Sequence, residues 1–369
     1  MKPETITSEQ ERERKRQLLS IVAQNSQAVG LTILTPEEIF ALPKDEHACI
    51  LGDRVAAKGQ SLVIAGQPSI GKTPLTLQLI VSINIKRHWC GLETYGEPLV
   101  WLYLQNENSC DRLEKDLAAL LKWAPNFDQS KLHIQVYRTE DDGFLSLDDP
   151  KAIANIEKAI RDIQPAGIVC DPLRDFGIGD LNSDQDMVAT LRELSRLARL
   201  GNPDRLLVIL HHALTGRAGA LKAFGLDRVS FARNSKALLG WARAQINVGP
   251  ASEDNNETLV IACGRNSNGK EFSPVAVRRN EDGIYVVDED FDIEAWRREI
   301  STPRKSARLR PEILRKLLAK NREYDKKQIV ALIMEAKGRE KTTAYDLVDE
   351  AVARKILRFN KQTKIYALA

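Results

Sequence analysis

Residues 61–73, SLVIAGQPSIGKT, decide how the first large part of this chain folds. The apolar run 61–66 predicts a buried strand, and the pattern that follows predicts a helix over 72–86. Between them, Gly66 to Thr73 match the GxxxxGK[ST] pattern of a phosphate-binding loop. Glycines let backbone N–H groups approach phosphate oxygens, and the helix N-terminus adds the positive end of its dipole. The flanking strand and helix favour this interpretation over a chance glycine-rich turn.

Two side chains of the loop have specific predicted contacts. We expect Lys72 to reach the β- and γ-phosphates of a bound nucleotide and the Thr73 hydroxyl to ligate Mg²⁺. A proline follows at position 74, where the first helical turn tolerates it because its missing N–H would have no intrahelical partner. The predicted nucleotide-binding residues are Gly66, Gln67, Pro68, Ser69, Ile70, Gly71, Lys72, Thr73 and Pro74.

Apolar strand patterns alternate with helical patterns up to residue 212. Strands are predicted at 99–104, 132–137, 166–171 and 205–212, and helices at 109–122, 150–163 and 185–200. Because such strands are buried on both faces, the pattern predicts an α/β fold with a mainly parallel sheet flanked by helices. After residue 236, four further strand patterns, 244–249, 257–264, 273–279 and 283–287, predict antiparallel strands that extend one edge of the sheet.

Two acidic residues follow predicted strands that we expect to adjoin the strand of the phosphate-binding loop. Asp171 ends the strand 166–171 and is expected to hold Mg²⁺ through water, although an Asp at a strand end can also cap the next turn. Glu107 follows the strand 99–104 and is the candidate general base that deprotonates a water near the γ-phosphate. The alternative for Glu107 is an exposed residue near the start of the helix 109–122, stabilised by the helix dipole.

The chain divides into four predicted regions. Residues 1–45 form an N-terminal helical segment, 46–300 the sheet domain, 301–310 a polar, basic linker and 311–369 a small C-terminal domain. The first region is predicted to hold helices at 8–25 and 36–42, the second with Thr35 as its N-cap. In the last region, helices at 311–320, 324–336 and 341–354 precede two strands, which is the element order of a winged helix.

Charge is distributed unevenly along the sequence. From Ser301 onward there are 18 Lys/Arg and 8 Asp/Glu, a net of +10, so the net +3 of the whole chain leaves −7 for residues 1–300. A basic tail favours a polyanionic partner, although a solvated lysine-rich surface would have the same composition. Five scattered cysteines without metal-like spacing argue against a disulfide framework and a zinc site and favour a reducing, cytoplasmic compartment. No apolar run approaches the ~18 residues of a membrane span, and the N-terminus lacks the apolar stretch of a signal peptide.

With these elements placed, residues from about 31 to about 288 resemble the RecA-type ATPases. More narrowly, they resemble the RepA-like replicative helicases of plasmids and mobile elements, which are ring-forming relatives of the DnaB helicases. The resemblance rests on a linked set of motifs: GQPSIGKT, NENS, IVCDPLRDF, LVILHHAL, ARNSKALLGWAR and CGRNSNG. It implies ATP and Mg²⁺ as ligands, a homohexameric ring, and single-stranded DNA in the central pore.

The resemblance also implies roles for particular residues. Glu107 matches the family's catalytic glutamate, and His212 matches a histidine that senses the γ-phosphate. Arg233 falls where the family has an arginine finger that enters the neighbouring subunit's site, and Arg265 matches a basic residue that also crosses the interface. A surface residue or a local salt bridge is the alternative for either arginine. The stretch 215–233, with Arg217, Lys222 and Arg228, has the composition of a pore loop that follows single-stranded phosphates, and equally of a solvated loop.

The sequence therefore predicts an ATP-driven ring helicase that acts in replication of a plasmid, phage or mobile element. In its winged helix, residues 341–354 are expected to enter the major groove of duplex DNA, with Lys341, Thr342, Thr343 and Tyr345 near the contact and Lys361 and Lys364 on the wing. Replication proteins are the alternative partners of this domain, and no membrane partner is expected. Two rival functions are a RecA-like ATPase that remodels or regulates DNA-bound proteins, and a DNA-binding adaptor with a nucleotide switch.

Overall fold

A computed structural model gives the fold of the chain. It describes residues 32–43, 45, 47–137, 144–213, 228–232, 236–251, 257–301, 311–319, 322–337, 341–360 and 362–369. The chain divides into two compact units, Met1–Arg297 and Arg298–Ala369. The helix predicted at 8–25 and the linker predicted at 301–310 lie, except for Ser301, outside the described residues.

A nine-stranded sheet forms the centre of the first unit. Its strands are β3 (Ser61–Gly66), β4 (Trp101–Gln105), β5 (Leu132–Ile134), β6 (Gly167–Asp171), β7 (Leu206–His212), β8 (Ala244–Pro250), β9 (Thr258–Asn266), β10 (Val275–Arg279) and β11 (Tyr285–Val287). They lie in the order β11-β10-β9-β8-β3-β7-β6-β4-β5. A separate hairpin joins β1 (Cys49–Leu51) and β2 (Ala56–Ala57).

The predicted fold class is confirmed in its architecture: the protein is α/β, with a mainly parallel sheet that has antiparallel strands at one edge. All pairings from β8 to β5 are parallel, whereas β9, β10 and β11 are antiparallel to their neighbours. Two details of the prediction are wrong. The segment 244–249 forms β8, which pairs parallel to β3. The strand beside β3 on its other side is β7, so the strands that lead to Asp171 and Glu107 do not adjoin it.

The α-helices of the described residues up to Ser301 are α1 (Pro36–Ala41), α2 (Lys72–Asn84), α3 (Cys110–Trp123), α4 (Pro150–Ile163), α5 (Leu173–Phe176), α6 (Asp184–Arg199), α7 (Lys236–Trp241) and α8 (Ile293–Ser301). Helices α2 and α3 pack on one face of the sheet, and α4 to α7 pack on the other. Thr35 caps α1 as predicted, and a reciprocal bond from its N–H to the Glu38 carboxylate completes a capping box. Helix α8 was not predicted, and it includes the position where the sequence placed the end of the sheet domain.

Alternate residues of the strands pack on opposite sides of the sheet. One cluster holds Leu62, Ile64 and Val208 with the apolar residues of α2 and α3. The other holds Val63, Leu207 and the apolar residues of α4 and α6. Because both faces are buried, the parallel strands are continuous apolar runs, which is the pattern that made them recognisable.

The second unit has its own apolar core. After a turn at Pro311–Ile313 it contains α9 (Leu314–Leu317), α10 (Lys326–Lys337) and α11 (Lys341–Ala353), then the strands β12 (Leu357–Asn360) and β13 (Ile365–Leu368). β12 and β13 form an antiparallel hairpin, and Tyr324 adds a bridge to Tyr366 on β13. The three helices followed by a hairpin have the order that the sequence predicted. Within the described parts of the chain, no helix is both long and apolar enough to cross a membrane.

Candidate nucleotide-binding site

The predicted phosphate-binding loop joins β3 to α2. Gly71, directly before the helix, has a φ of 101°, and Ser69 has a φ of 58°. A Cβ at position 71 would lie 2.1 Å from the Tyr285 hydroxyl oxygen, so backbone conformation and lack of space both require glycine there. The loop therefore opens at a helix N-terminus, where backbone N–H groups favour an anion.

Lys72 is the buried cation of this loop, with only 6% of its surface exposed. Its Nζ donates to the carbonyl oxygens of Gly66 at 3.1 Å and Gln67 at 2.9 Å. Burial lowers the pKa of Lys72, while the nearby charges of Asp171 and Glu107 act in the opposite direction. On binding a nucleotide, the ammonium group would exchange two neutral acceptors for charged phosphate oxygens, which form stronger hydrogen bonds.

Thr73, in the first turn of α2, and Asp171, at the end of β6, come together although β7 separates β6 from β3. The Thr73 hydroxyl donates to Asp171 Oδ2 at 2.6 Å, and the buried Tyr103 hydroxyl donates to the same oxygen at 2.7 Å. Burial raises the pKa of Asp171, and the two hydrogen bonds and Lys72 oppose that rise. A hydroxyl and a carboxylate beside a phosphate-binding loop are the hard oxygen donors that Mg²⁺ takes, so these residues fit the predicted metal.

Glu107 lies beyond the end of β4, on the same edge of the sheet. Its side chain is half exposed, and its Oε1 lies 3.9 Å from His212 Nε2 at the end of β7. Burial raises the pKa of Glu107, as do the negative charges of Asp171 and Asp175, whereas Lys72 and Arg174 lower it. The structure thus brings together the predicted base, the predicted sensor and the loop lysine, because parallel strands end at one edge.

Gln105 fixes the backbone that carries Glu107. The Gln105 side chain is fully buried, and its Oε1 accepts the N–H groups of Glu107 at 3.1 Å and Asn108 at 2.6 Å. Its Nε2 donates to the carbonyl oxygens of Asn108 and Gln135, both at 3.1 Å. One amide therefore satisfies three backbone groups of the turn after β4 and one just beyond β5, and it closes the turn from which Glu107 projects.

Asn106 holds the other side of the same turn. Its N–H donates to the Asp171 carbonyl at 3.3 Å, and its side chain exchanges hydrogen bonds with the backbone of Leu145. Sequence reasoning missed Tyr103, Gln105 and Asn106 as parts of the site. A usable signal was present in WLYLQ, where polar groups interrupt a strand that is otherwise apolar.

The structure describes one of the two predicted interface arginines, Arg265, and not the other, Arg233. Arg233 lies outside the described residues, as do Arg217 and Lys222. Arg265 is on β9, where it donates to Ser267 Oγ at 2.8 Å and to the Leu239 carbonyl of its own chain. Arg228 Nη2 donates to both carboxylate oxygens of Glu271, each at 2.7 Å. The guanidinium groups of Arg265 and Arg228 therefore both form hydrogen bonds within their own chain.

Comparison with known protein families identifies one family whose model matches this sequence. The family model described as an AAA domain matches residues 31–217, which are 187 of the 369 residues of the chain. No curated protein matches the sequence. Among solved structures, the KaiC-like protein PH0186 of the hyperthermophilic archaeon Pyrococcus horikoshii OT3 is similar, with 13% identity and a TM-score of 0.40 over 63% of this chain and 90% of that one.

Proposed function

The chain belongs to the AAA domain family, and from that premise we propose that it hydrolyses ATP to drive a motor on DNA. The observation that carries the proposal is the convergence of Lys72, the Thr73–Asp171 pair and Glu107 at one sheet edge. These groups supply the parts that phosphoryl transfer to water needs: a phosphate clamp, oxygen donors for a metal and a base.

Each group has a separate role in the proposed reaction. Lys72 neutralises charge on the β- and γ-phosphates, and Glu107 takes the proton of the attacking water as its oxygen bonds to the γ-phosphorus. The bond from that phosphorus to the bridging oxygen breaks, and ADP leaves with the electron pair. Bound at Thr73 and Asp171, Mg²⁺ would neutralise phosphate charge and align the oxygens. The raised pKa of Glu107 suits a base, because it increases the carboxylate's affinity for the water proton.

Mutation of this site tests the hydrolysis step. Lys72→Ala should abolish turnover, and Glu107→Gln should bind ATP but lower turnover by about 10²-fold or more, because an amide cannot accept the proton. Lys86→Ala is the control, since Lys86 is an exposed lysine whose ion pair with Glu97 is remote from the loop. Near-normal turnover in Glu107→Gln would show that another group is the base.

The finer proposal is a hexameric ring helicase that acts in replication of a plasmid, phage or mobile element. It is supported by the linked motifs of the RepA-like helicases and by the basic C-terminal unit, whose three helices and hairpin we propose to be a winged helix. Strand displacement on a forked duplex with ATP tests it. ATP turnover stimulated by DNA without displacement would favour the remodelling ATPase, and DNA binding without turnover would favour the adaptor.

A further inference from the structure

The C-terminal unit separates its charges between α11 and the hairpin that follows. From residue 341 to 350 there are one lysine and three acidic residues, a net of −2. The hairpin, residues 357–368, has three Lys/Arg and no Asp or Glu, a net of +3 from side chains, whereas Arg354 before it is ion-paired with Glu350 and Glu312. Asp346 and Asp349 on α11 are exposed. A polyanion is therefore attracted to the hairpin and repelled by the exposed acidic residues of α11.

The hairpin also carries an exposed aromatic ring, that of Phe359. Phe359 on β12 is 38% exposed, and its ring stacks on Tyr366 of β13, with centroids 4.6 Å apart and an interplanar angle of 30°. Tyr366 is buried in the core of the unit and pairs with Tyr324, so it is a fixed support. One side of the Phe359 ring is thus held in place by the fold while the ring stays accessible to solvent.

The cations lie next to this ring in the chain and at the hairpin turn. Arg358 precedes Phe359 on β12 and therefore projects from the opposite face of the two-stranded hairpin. Lys364 directly precedes β13, and both cations are exposed. The turn between the strands is fixed by Asn360, whose Oδ1 accepts the N–H groups of Gln362 at 2.9 Å and Thr363 at 3.4 Å. The hairpin thus has an exposed aromatic ring on one face, a cation at its turn and a second cation on its other face, so a strand that passes along the edge of β12 can reach all three.

We propose that the hairpin 357–368 binds single-stranded nucleic acid, with an unpaired base stacked on Phe359 and phosphates held by Arg358 and Lys364. Stacking on an aromatic side chain needs a base whose π-face is free, whereas duplex bases stack on one another and offer only their edges. An acidic peptide would use the cations alone and leave the exposed ring without a role. This inference extends the proposed function from a duplex contact to a single-strand contact, and it does not depend on ATP turnover.

The test uses the full chain without nucleotide at low salt. Fluorescence anisotropy compares a labelled oligothymidylate with an oligomer of the same length whose nucleotides are all abasic. Stacking predicts that the wild-type protein binds the thymidylate about tenfold more tightly than the abasic strand. Phe359→Ala should remove most of that preference and leave abasic binding unchanged. Arg358→Ala and Lys364→Ala should weaken both strands and flatten the salt dependence, because they remove phosphate contacts.

Matched variants separate stacking from folding. Phe359→Leu keeps an apolar side chain on Tyr366 but removes the aromatic face, so it should lose the preference while the protein stays folded by circular dichroism. Phe359→Trp should restore the preference. Phe40→Ala changes an exposed aromatic residue of α1 in the other unit and should have no effect.

Several results would overturn the inference. These are equal wild-type binding of the two strands, a preference that survives Phe359→Leu, or Phe359-dependent binding of anionic vesicles or an acidic protein in place of DNA. ATP turnover is measured on the same preparations. Turnover without a base preference overturns this inference alone, whereas a base preference without turnover overturns the proposed ATPase alone.

Discussion

The Thr73 hydroxyl donates a 2.6 Å hydrogen bond to Asp171 Oδ2, so the two groups predicted to share a metal ion already touch. The hydroxyl of Tyr103 fixes the same carboxylate oxygen from the buried side at 2.7 Å. Groups that orient a metal ligand from behind contribute to the affinity for the metal. Tyr103 is therefore expected to set how tightly the site holds Mg²⁺ without touching the nucleotide.

Tyr103→Phe tests this role of the tyrosine. Losing its hydroxyl should raise the Mg²⁺ concentration for half-maximal ATP hydrolysis by roughly tenfold, with little change in turnover at saturating Mg²⁺. Titration of Mg²⁺ at fixed ATP measures the shift, and Tyr95→Phe, a change at an exposed tyrosine, is the control. A loss of turnover that high Mg²⁺ does not restore would contradict a role limited to metal affinity.

Asp171 should also make the stability of the nucleotide-free protein depend on pH. Burial raises its pKa, so the folded protein holds this proton more tightly than the unfolded chain does. Folding stability from this residue is then lost as pH rises above the unfolded value of about 3.9. The free energy of unfolding of Asp171→Asn minus that of the wild type should therefore increase as pH rises from about 4 to 7. Urea unfolding across that range, without Mg²⁺, measures the difference, and a difference independent of pH would be the opposing result.

The pH dependence of turnover should report the negative neighbours of Glu107. Its pKa is raised by burial, by Asp171 and by Asp175. On acidification, turnover should therefore begin to fall at a pH above the ordinary pKa range of a glutamate. Asp175→Asn removes one of those charges and should move this fall to lower pH, with turnover on the plateau nearly unchanged. Asp180→Asn changes an exposed carboxylate that does not raise this pKa, and it should leave the profile as it is. A fall at the wild-type pH in Asp175→Asn would mean that Glu107 does not control it.

The sequence was sufficient to predict that Glu107 and Asp171 lie at the same edge of the sheet, because Asp171 ends one apolar run, Glu107 comes shortly after another, and such runs become parallel strands. It was insufficient for strand order. The insertion of β7 between β3 and β6 depends on pairings between distant segments, which a local pattern does not contain. The parallel pairing of β8 was missed for the same reason. Gln105 was missed because its partners are backbone groups, three in the turn that follows it and one, the Gln135 carbonyl, that comes within reach only when β4 ends beside the segment carrying Gln135.

Gln105 should act on turnover through Glu107. Gln105→Leu keeps the side-chain volume but leaves the N–H groups of Glu107 and Asn108 without their acceptor, so the turn should loosen. We expect turnover to fall about tenfold or more with the KM for ATP little changed, since misplacing a catalytic group mainly affects the transition state. In a Glu107→Gln background the same change should have almost no further effect on turnover. Additive losses in that cycle would indicate a general structural role instead.

The last prediction concerns completion of the site by a second copy of the chain. Arg233→Ala should abolish turnover and leave nucleotide binding by Lys72 and its loop largely intact, because a finger arginine acts on the transition state of a neighbouring subunit. Lys72→Ala should fail for the opposite reason, since it retains the arginine and lacks the phosphate clamp. Mixing the two inactive proteins should restore part of the activity, because a mixed interface pairs an intact loop with an intact Arg233. Turnover of the mixture is measured against each variant alone at the same total concentration, with Arg265→Ala mixed with Lys72→Ala as a parallel test of the second arginine. Loss of nucleotide binding in Arg233→Ala, or a mixture no more active than its components, would place Arg233 in a local structural role within one subunit.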